Sequence, residues 1–304
     1  MDILRFFRKV QFSTGEIARV RTILRPNGTT MILPYDQFIE HDCRHLEGKA
    51  DSGNPHYICR LAIEGGFNAV ALHYGLSLRY WPATEGALPL IVKLNGKTSI
   101  PPEDNALSTH TSWVDDAVRL GAMGVGYTLY YGSPAQDRDI PQLAAVRKEC
   151  GHYGMPLIVW AYPRGSAIDA KGGKECSYTL ESAARLAAEM GATIIKSNLP
   201  KDAPKVVDND KIPTYYRNLE KELLALPDDE RRAVRAKRVV DAAQGVPVLF
   251  SGGPEKGDED FLKAADACVK GGCFGFIIGR NMWKRPTDEA KRVAALVSKA
   301  LATE

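Results

Sequence analysis

The stretch ATIIKSNLP, residues 192–200, closes a wholly apolar run on one lysine, Lys196, and then turns polar. Seven further short runs share this build: MILPY (31–35), NAVAL (68–72), LPLIVKL (88–94), GVGYTLY (124–130), PLIVWAY (156–162), VPVLF (246–250) and FGFII (274–278). Near-continuous apolarity over so few residues is the pattern of strands covered on both faces. Between them lie stretches with three- and four-residue apolar spacing: SWVDDAVRLG before the fourth run, LESAARLAAEMG before the sixth and EDFLKAADACVKGG before the eighth. Each ends in glycine, an ordinary helix stop. Eight such units predict an α/β chain folded as a closed (β/α)₈ barrel, in preference to an open doubly wound sheet.

The expected division is a helical extension over 1–27, ending in a turn at PNG, followed by a barrel over 28–304. The longest interval between strands, 197–245, predicts a loop and then two helices, IPTYYRNLEKELLAL and DDERRAVRAKRVVDAA, as an extra segment after strand six. The basic run ERRAVRAKR (230–238) within it reads as a solvated helix face.

Composition narrows the function classes. Apolar residues make up 44% of 304, enough for a sizeable core, and a formal charge of +3 gives no reason to expect a nucleic-acid or membrane partner. No apolar stretch is long enough to span a bilayer, and MDILRFFRKV lacks a signal-peptide core. The six cysteines form no CxxC pair, the usage of reduced thiols in a cytoplasmic protein. Neither GxGxxG nor GxxxxGK[ST] occurs, which disfavours nicotinamide and nucleotide chemistry, and no cofactor is expected. His41 and His45 have helical spacing, but without a third ligand they read as surface or interface residues, so no metal is expected.

In such a barrel, chemistry sits where the strands end. Lys196 at the sixth run is either a snorkelling rim lysine or, once desolvated, a neutral amine able to attack a ketone. Trp160 and Tyr162, two apart on the fifth run, face the same way. With neighbouring strands about 4.8 Å apart, Tyr162 can share a substrate atom with Lys196. A tyrosine hydroxyl there suits proton transfer, and Trp160 suits a pocket wall. FSGGP supplies Ser251, Gly252 and Gly253, while IIGRN supplies Gly279 and Arg280. Glycine loops and a guanidinium after strands seven and eight form the usual phosphate site of this fold. Asp36 follows the first strand, as a substrate contact or a cap. His73 ends the second. Lys93 on the third is a rival imine lysine or a charge that lowers the pKa of Lys196. Arg164 can neutralise a second phosphate.

Taken in order, LPYDQFIEH, IVKLNGKTS, YYGSP, WAYPRG, TIIKSNLP, FSGGP and GFIIGRN resemble the archaeal-type class I fructose-bisphosphate aldolases of the DeoC/LacD-like group, over about residues 28–290. The DQFIEHD loop is similar to that of the bacterial branch. The resemblance implies metal-independent, reversible cleavage of fructose 1,6-bisphosphate to dihydroxyacetone phosphate and glyceraldehyde 3-phosphate. It implies Lys196 as the imine residue, Tyr162 as proton shuttle, Asp36 as orienting carboxylate and Trp160 as lining. The backbone at Ser251–Gly253 and Gly279–Arg280 would hold the phosphate of the dihydroxyacetone phosphate half. A small sugar phosphate is the expected partner, and a homo-oligomer, commonly a decamer, the expected assembly. Other members of the superfamily run a transaldolase-like step or a thiolase reaction on phosphorylated ketones.

Overall fold

The computed structural model describes residues 4–7, 12–47, 51–253 and 256–302; the side chains of Gln37, His41, Asp42, Arg44 and His45 lie outside the described part, and with them the His41/His45 expectation. Ten strands form. In chain order they are β1 (Thr30–Tyr35), β2 (Ala69–His73), β3 (Leu90–Lys93), β4 (Asn95–Gly96), β5 (Thr109–His110), β6 (Gly124–Tyr131), β7 (Leu157–Pro163), β8 (Ile194–Ser197), β9 (Val248–Ser251) and β10 (Gly275–Ile277). All but β4 and β5 close into one parallel barrel in the order β1-β10-β9-β8-β7-β6-β3-β2. Each barrel strand coincides with one of the eight apolar runs. The antiparallel β4–β5 ribbon is too short to leave an apolar signature.

Alternation along each strand divides the core in two. One cluster gathers Ile32, Ala69, Ala71, Ile91, Ile158, Trp160, Ile194, Leu249 and Ile277, the residues pointing into the barrel. The other gathers their neighbours, among them Leu33, Val70, Val92, Val159, Ile195, Phe250 and Phe276, with the helices packed outside. The N-terminal segment belongs to the inner cluster: Phe7, Val20 and Ile23 are buried there, and Phe7 meets Phe274 edge-on at 5.2 Å. Its helix, Thr14–Thr22, starts at a capping box in which Ser13 and Glu16 satisfy each other's backbone N–H.

The interval after β8 contains a short turn of 3₁₀ helix and two helices, Thr214–Leu224 and Asp228–Ala242. The basic run on the second is not a solvated face throughout. Arg235 is 1% exposed and grips Glu220 of the preceding helix through two hydrogen bonds, at 2.9 and 2.7 Å. Arg238 pairs with Glu181 at 2.8 Å. Two helices joined by a short turn must bury the side chains between them, and a guanidinium survives burial only with carboxylates in place. Five of the six cysteines are buried, and all are free thiols. Among the described residues, no helix is long and apolar enough to cross a membrane.

Candidate active site

The parity that fills the barrel also aims the site. Continuing each inward series past the last apolar residue gives Ile32–Pro34–Asp36, Ala71–His73, Ile91–Lys93, Trp160–Tyr162, Ile194–Lys196–Asn198, Leu249–Ser251 and Ile277–Gly279. Polar side chains therefore converge at the C-terminal mouth because each strand keeps its two-residue alternation beyond the point where apolar residues stop.

Lys196 and Trp160 are register partners on β8 and β7. The lysine Nζ lies 4.9 Å from the indole centroid and 5.5 Å from that of Tyr162. Lys196 is 6% exposed. Burial lowers its pKa to about 8; Arg280 acts in the same sense, while Asp36 and Glu40 oppose it. Burial, and then the nearby Asp36 charge, push the Tyr162 phenol well above its ordinary value, so it stays protonated at neutral pH. The Arg164 guanidinium lies 5.3 Å from the Tyr162 ring centroid.

A cleft of about 300 Å³ opens over this group. Its lining includes Asp36, Tyr162, Arg164, Lys196, Ser251, Gly252, Gly253, Gly279 and Arg280. The structure thus brings together most of the residues expected from the sequence. Trp160 sits beneath the lysine, 1% exposed, and serves as floor in place of wall. Lys93 lies deeper still. It is fully buried, its Nζ bonded to Glu40 at 2.6 Å and to the Asn95 carbonyl at 2.8 Å, and 5.4 Å from the Trp160 centroid. The cation that depresses Lys196 is Arg280, whereas Lys93 acts on His73. His73 lines a neighbouring cavity of about 430 Å³ with Phe38, Ile39 and Leu76, which meets the cleft at Asp36. Burial and the Lys93 charge lower its pKa to about 3, so the imidazole is neutral.

Space for the floor comes from Gly126 on β6. A Cβ there would stand 2.5 Å from the Trp160 ring and 3.1 Å from the Lys93 Cδ. At the other side of the mouth, Gly253 has φ +68°, a conformation that only glycine adopts without strain.

Several residues of the site escaped the sequence reading. Glu40 lines the cleft and pairs with Lys93 beneath it, with the Thr128 hydroxyl donating to Glu40 at 3.3 Å. Its signal was there: it follows Asp36 by four residues at the start of the helix Gln37–His41, so both carboxylates face one way. Asn198 lies two residues past Lys196 and accepts a hydrogen bond from the Ser251 hydroxyl. At the rim, Glu103 pairs with Lys174 at 2.8 Å and Arg164 at 3.6 Å. Among the described residues, no group of His, Cys, Asp and Glu could hold a metal ion.

A desolvated amine beside a protonated phenol and a carboxylate is the equipment of enzymes that work through an imine. Comparison with known proteins agrees. The model of the DeoC/LacD family aldolases matches residues 30–285. The fructose-bisphosphate aldolase class 1 of Thermoproteus tenax is 34% identical over 86% of each chain. The probable fructose-bisphosphate aldolase class 1 of Chlamydia muridarum is 29% identical over 89% of this chain and 78% of its own. Among solved structures, an archaeal fructose-1,6-bisphosphate aldolase with its catalytic lysine covalently bound to the carbinolamine intermediate superposes with a TM-score of 0.74, at 30% identity and 99% coverage of both chains. The chain belongs to the DeoC/LacD aldolase family. Its relatives come from archaeal and bacterial lineages, so the likeness is not confined to the bacterial branch suggested by the DQFIEHD loop.

Proposed function

We infer that Lys196 is the imine-forming residue and that this chain is a class I, Schiff-base fructose-bisphosphate aldolase. The observation that carries the reading is the depressed lysine, at about 8, against Trp160 and Tyr162. The neutral amine adds to the ketone carbon of fructose 1,6-bisphosphate. The resulting carbinolamine loses water to give a protonated imine. The hydroxyl on the fourth carbon gives up its proton, its oxygen becomes the aldehyde, and the bond between the third and fourth carbons breaks. Glyceraldehyde 3-phosphate leaves, and the bonding electrons are held as an enamine on Lys196. Protonation of the enamine carbon and hydrolysis then release dihydroxyacetone phosphate and the free amine.

Tyr162 is the proton shuttle in this reading, supported by its position over the lysine and by a phenol that holds its proton at neutral pH. Asp36 orients the substrate hydroxyls and the ammonium. The loops at Ser251–Gly253 and Gly279–Arg280 take the phosphate of the dihydroxyacetone phosphate half, and Arg164 takes the second. His73 and Lys93 support this mouth from below. A cytoplasmic homo-oligomer completes the proposal, with free thiols and exposed Trp113, Ile100 and Tyr215 in its favour. Light scattering reads the copy number, a decamer being expected.

The test is cleavage of fructose 1,6-bisphosphate in excess EDTA, followed by borohydride trapping with dihydroxyacetone phosphate and peptide mapping. Activity with the adduct on Lys196 is expected. An adduct on Lys93, or none on a folded protein, would overturn the assignment.

A further inference from the structure

Asn281 touches none of the cleft's lining space, yet it is fully buried directly behind it. Its side-chain Nδ2 donates to the Gly252 carbonyl at 2.9 Å and, at longer range, to the Gly253 carbonyl at 3.4 Å. Its Oδ1 accepts the Lys256 N–H at 3.0 Å. Its own carbonyl accepts from Arg285 Nε at 2.6 Å, and Arg285 also holds the Lys256 carbonyl at 2.9 Å. One amide thus stitches the turn after β9 to the turn after β10 from the side away from the cleft.

A planar trans peptide points its C=O and its N–H to opposite sides. The carbonyl of Gly252 and the N–H of Gly253 belong to the same peptide unit. Fixing that carbonyl toward Asn281 therefore turns the Gly253 N–H away from Asn281, in a loop whose two glycines line the cleft and also a neighbouring cavity with Lys256 and Phe261. The same bond removes a carbonyl dipole that would otherwise be free to repel an anion. Packing agrees with a fixed geometry: a Cβ on Gly252 would stand 2.9 Å from Ile278 Cγ2 and 3.2 Å from Asn281 Nδ2.

We propose that Asn281 is a positioning residue for phosphate specificity: through the Gly252 carbonyl it aims the Gly253 N–H at the phosphate of the donor ketone. This rests on the phosphate reading of the glycine loops and adds the residue that sets their polarity. Asn281→Asp keeps the side-chain shape and the acceptor for Lys256 while losing the donor to Gly252. Asn281→Ala removes both.

The experiment measures aldol addition to glyceraldehyde 3-phosphate with dihydroxyacetone phosphate or with unphosphorylated dihydroxyacetone as donor, in wild type and both variants. Loss of a charge-assisted contact predicts a fall of roughly ten- to a hundredfold in kcat/KM for the phosphorylated donor, carried by KM. For the unphosphorylated donor the same arithmetic leaves a change under about threefold. Equal losses with both donors would mean a general structural defect and overturn the proposal, as would an unchanged KM for the phosphorylated donor in both variants. A wild type without preference for the phosphorylated donor would overturn the phosphate reading itself, whatever the variants do.

Discussion

Lys196 and Trp160 are paired across β8 and β7, with the ammonium nitrogen 4.9 Å from the indole centroid and the strand pairing fixing that approach. The floor under this amine is apolar, and desolvation is the first cause of its lowered pKa. Asp36 and Glu40 favour the charged form and oppose that fall, so the value settles at about 8.

The rate should follow the neutral amine. With a pKa of about 8, roughly a tenth of Lys196 is neutral at pH 7. The expected outcome is a kcat/KM that climbs with pH and levels off above about 8. A flat profile from pH 6 to 9 would separate the rate from this lysine. Lys196→Met should abolish both cleavage and borohydride trapping.

Charges around the lysine should move that limb in opposite directions. Asp36 holds the ammonium form, so Asp36→Asn shifts the midpoint to lower pH, by up to about one unit. Arg280 disfavours it, so Arg280→Met shifts the midpoint to higher pH. Absolute rates drop in both variants, and the measurement reads the position of the limb alone. Shifts of the same sign would show that the electrostatics of the mouth are not as described.

The barrel was legible in the sequence because each strand is buried on both faces and leaves an unbroken apolar run. The end of one such run then singled out Lys196, and parity carried the reading from Trp160 to Tyr162 without any structure. It failed where depth matters. Lys93 and Lys196 look alike in sequence, each an inward lysine at or near the end of an apolar run. Along the paired residues, however, Lys93 aligns with Gly126, Ile158 and Ile194, two residues short of Lys196. The carboxylate of Glu40, arriving from another element, caps it there. Arg235 misled for a related reason, since a basic helix run does not announce that a neighbouring helix will supply Glu220.

Gly126 should tolerate no side chain. A Cβ 2.5 Å from the Trp160 ring forces the indole toward Lys196 or bends β6. Gly126→Ala is expected to cost about 1–3 kcal/mol in stability, as overpacked cores do, read from the denaturant midpoint. It should also lower kcat, because the displaced ring changes the lysine's environment. A variant as stable and as active as wild type would mean that the floor has slack the geometry does not show.

The Lys93–Glu40 pair tests whether Lys93 is structural. Both partners are nearly dry, with side-chain exposures of 0% and 6%. Removing one leaves the other charged in a low-dielectric site, so Lys93→Met should destabilise by about 3–5 kcal/mol. Glu40→Leu alone should do the same by orphaning the ammonium. Replacing both takes the two charges out of the interior together, and the double variant should recover much of that loss. Chemical denaturation of the four proteins gives the coupling directly. If Lys93 were instead the imine residue, every protein lacking it would fail to trap dihydroxyacetone phosphate under borohydride. On the present assignment each Lys93→Met protein that remains folded still carries the adduct on Lys196.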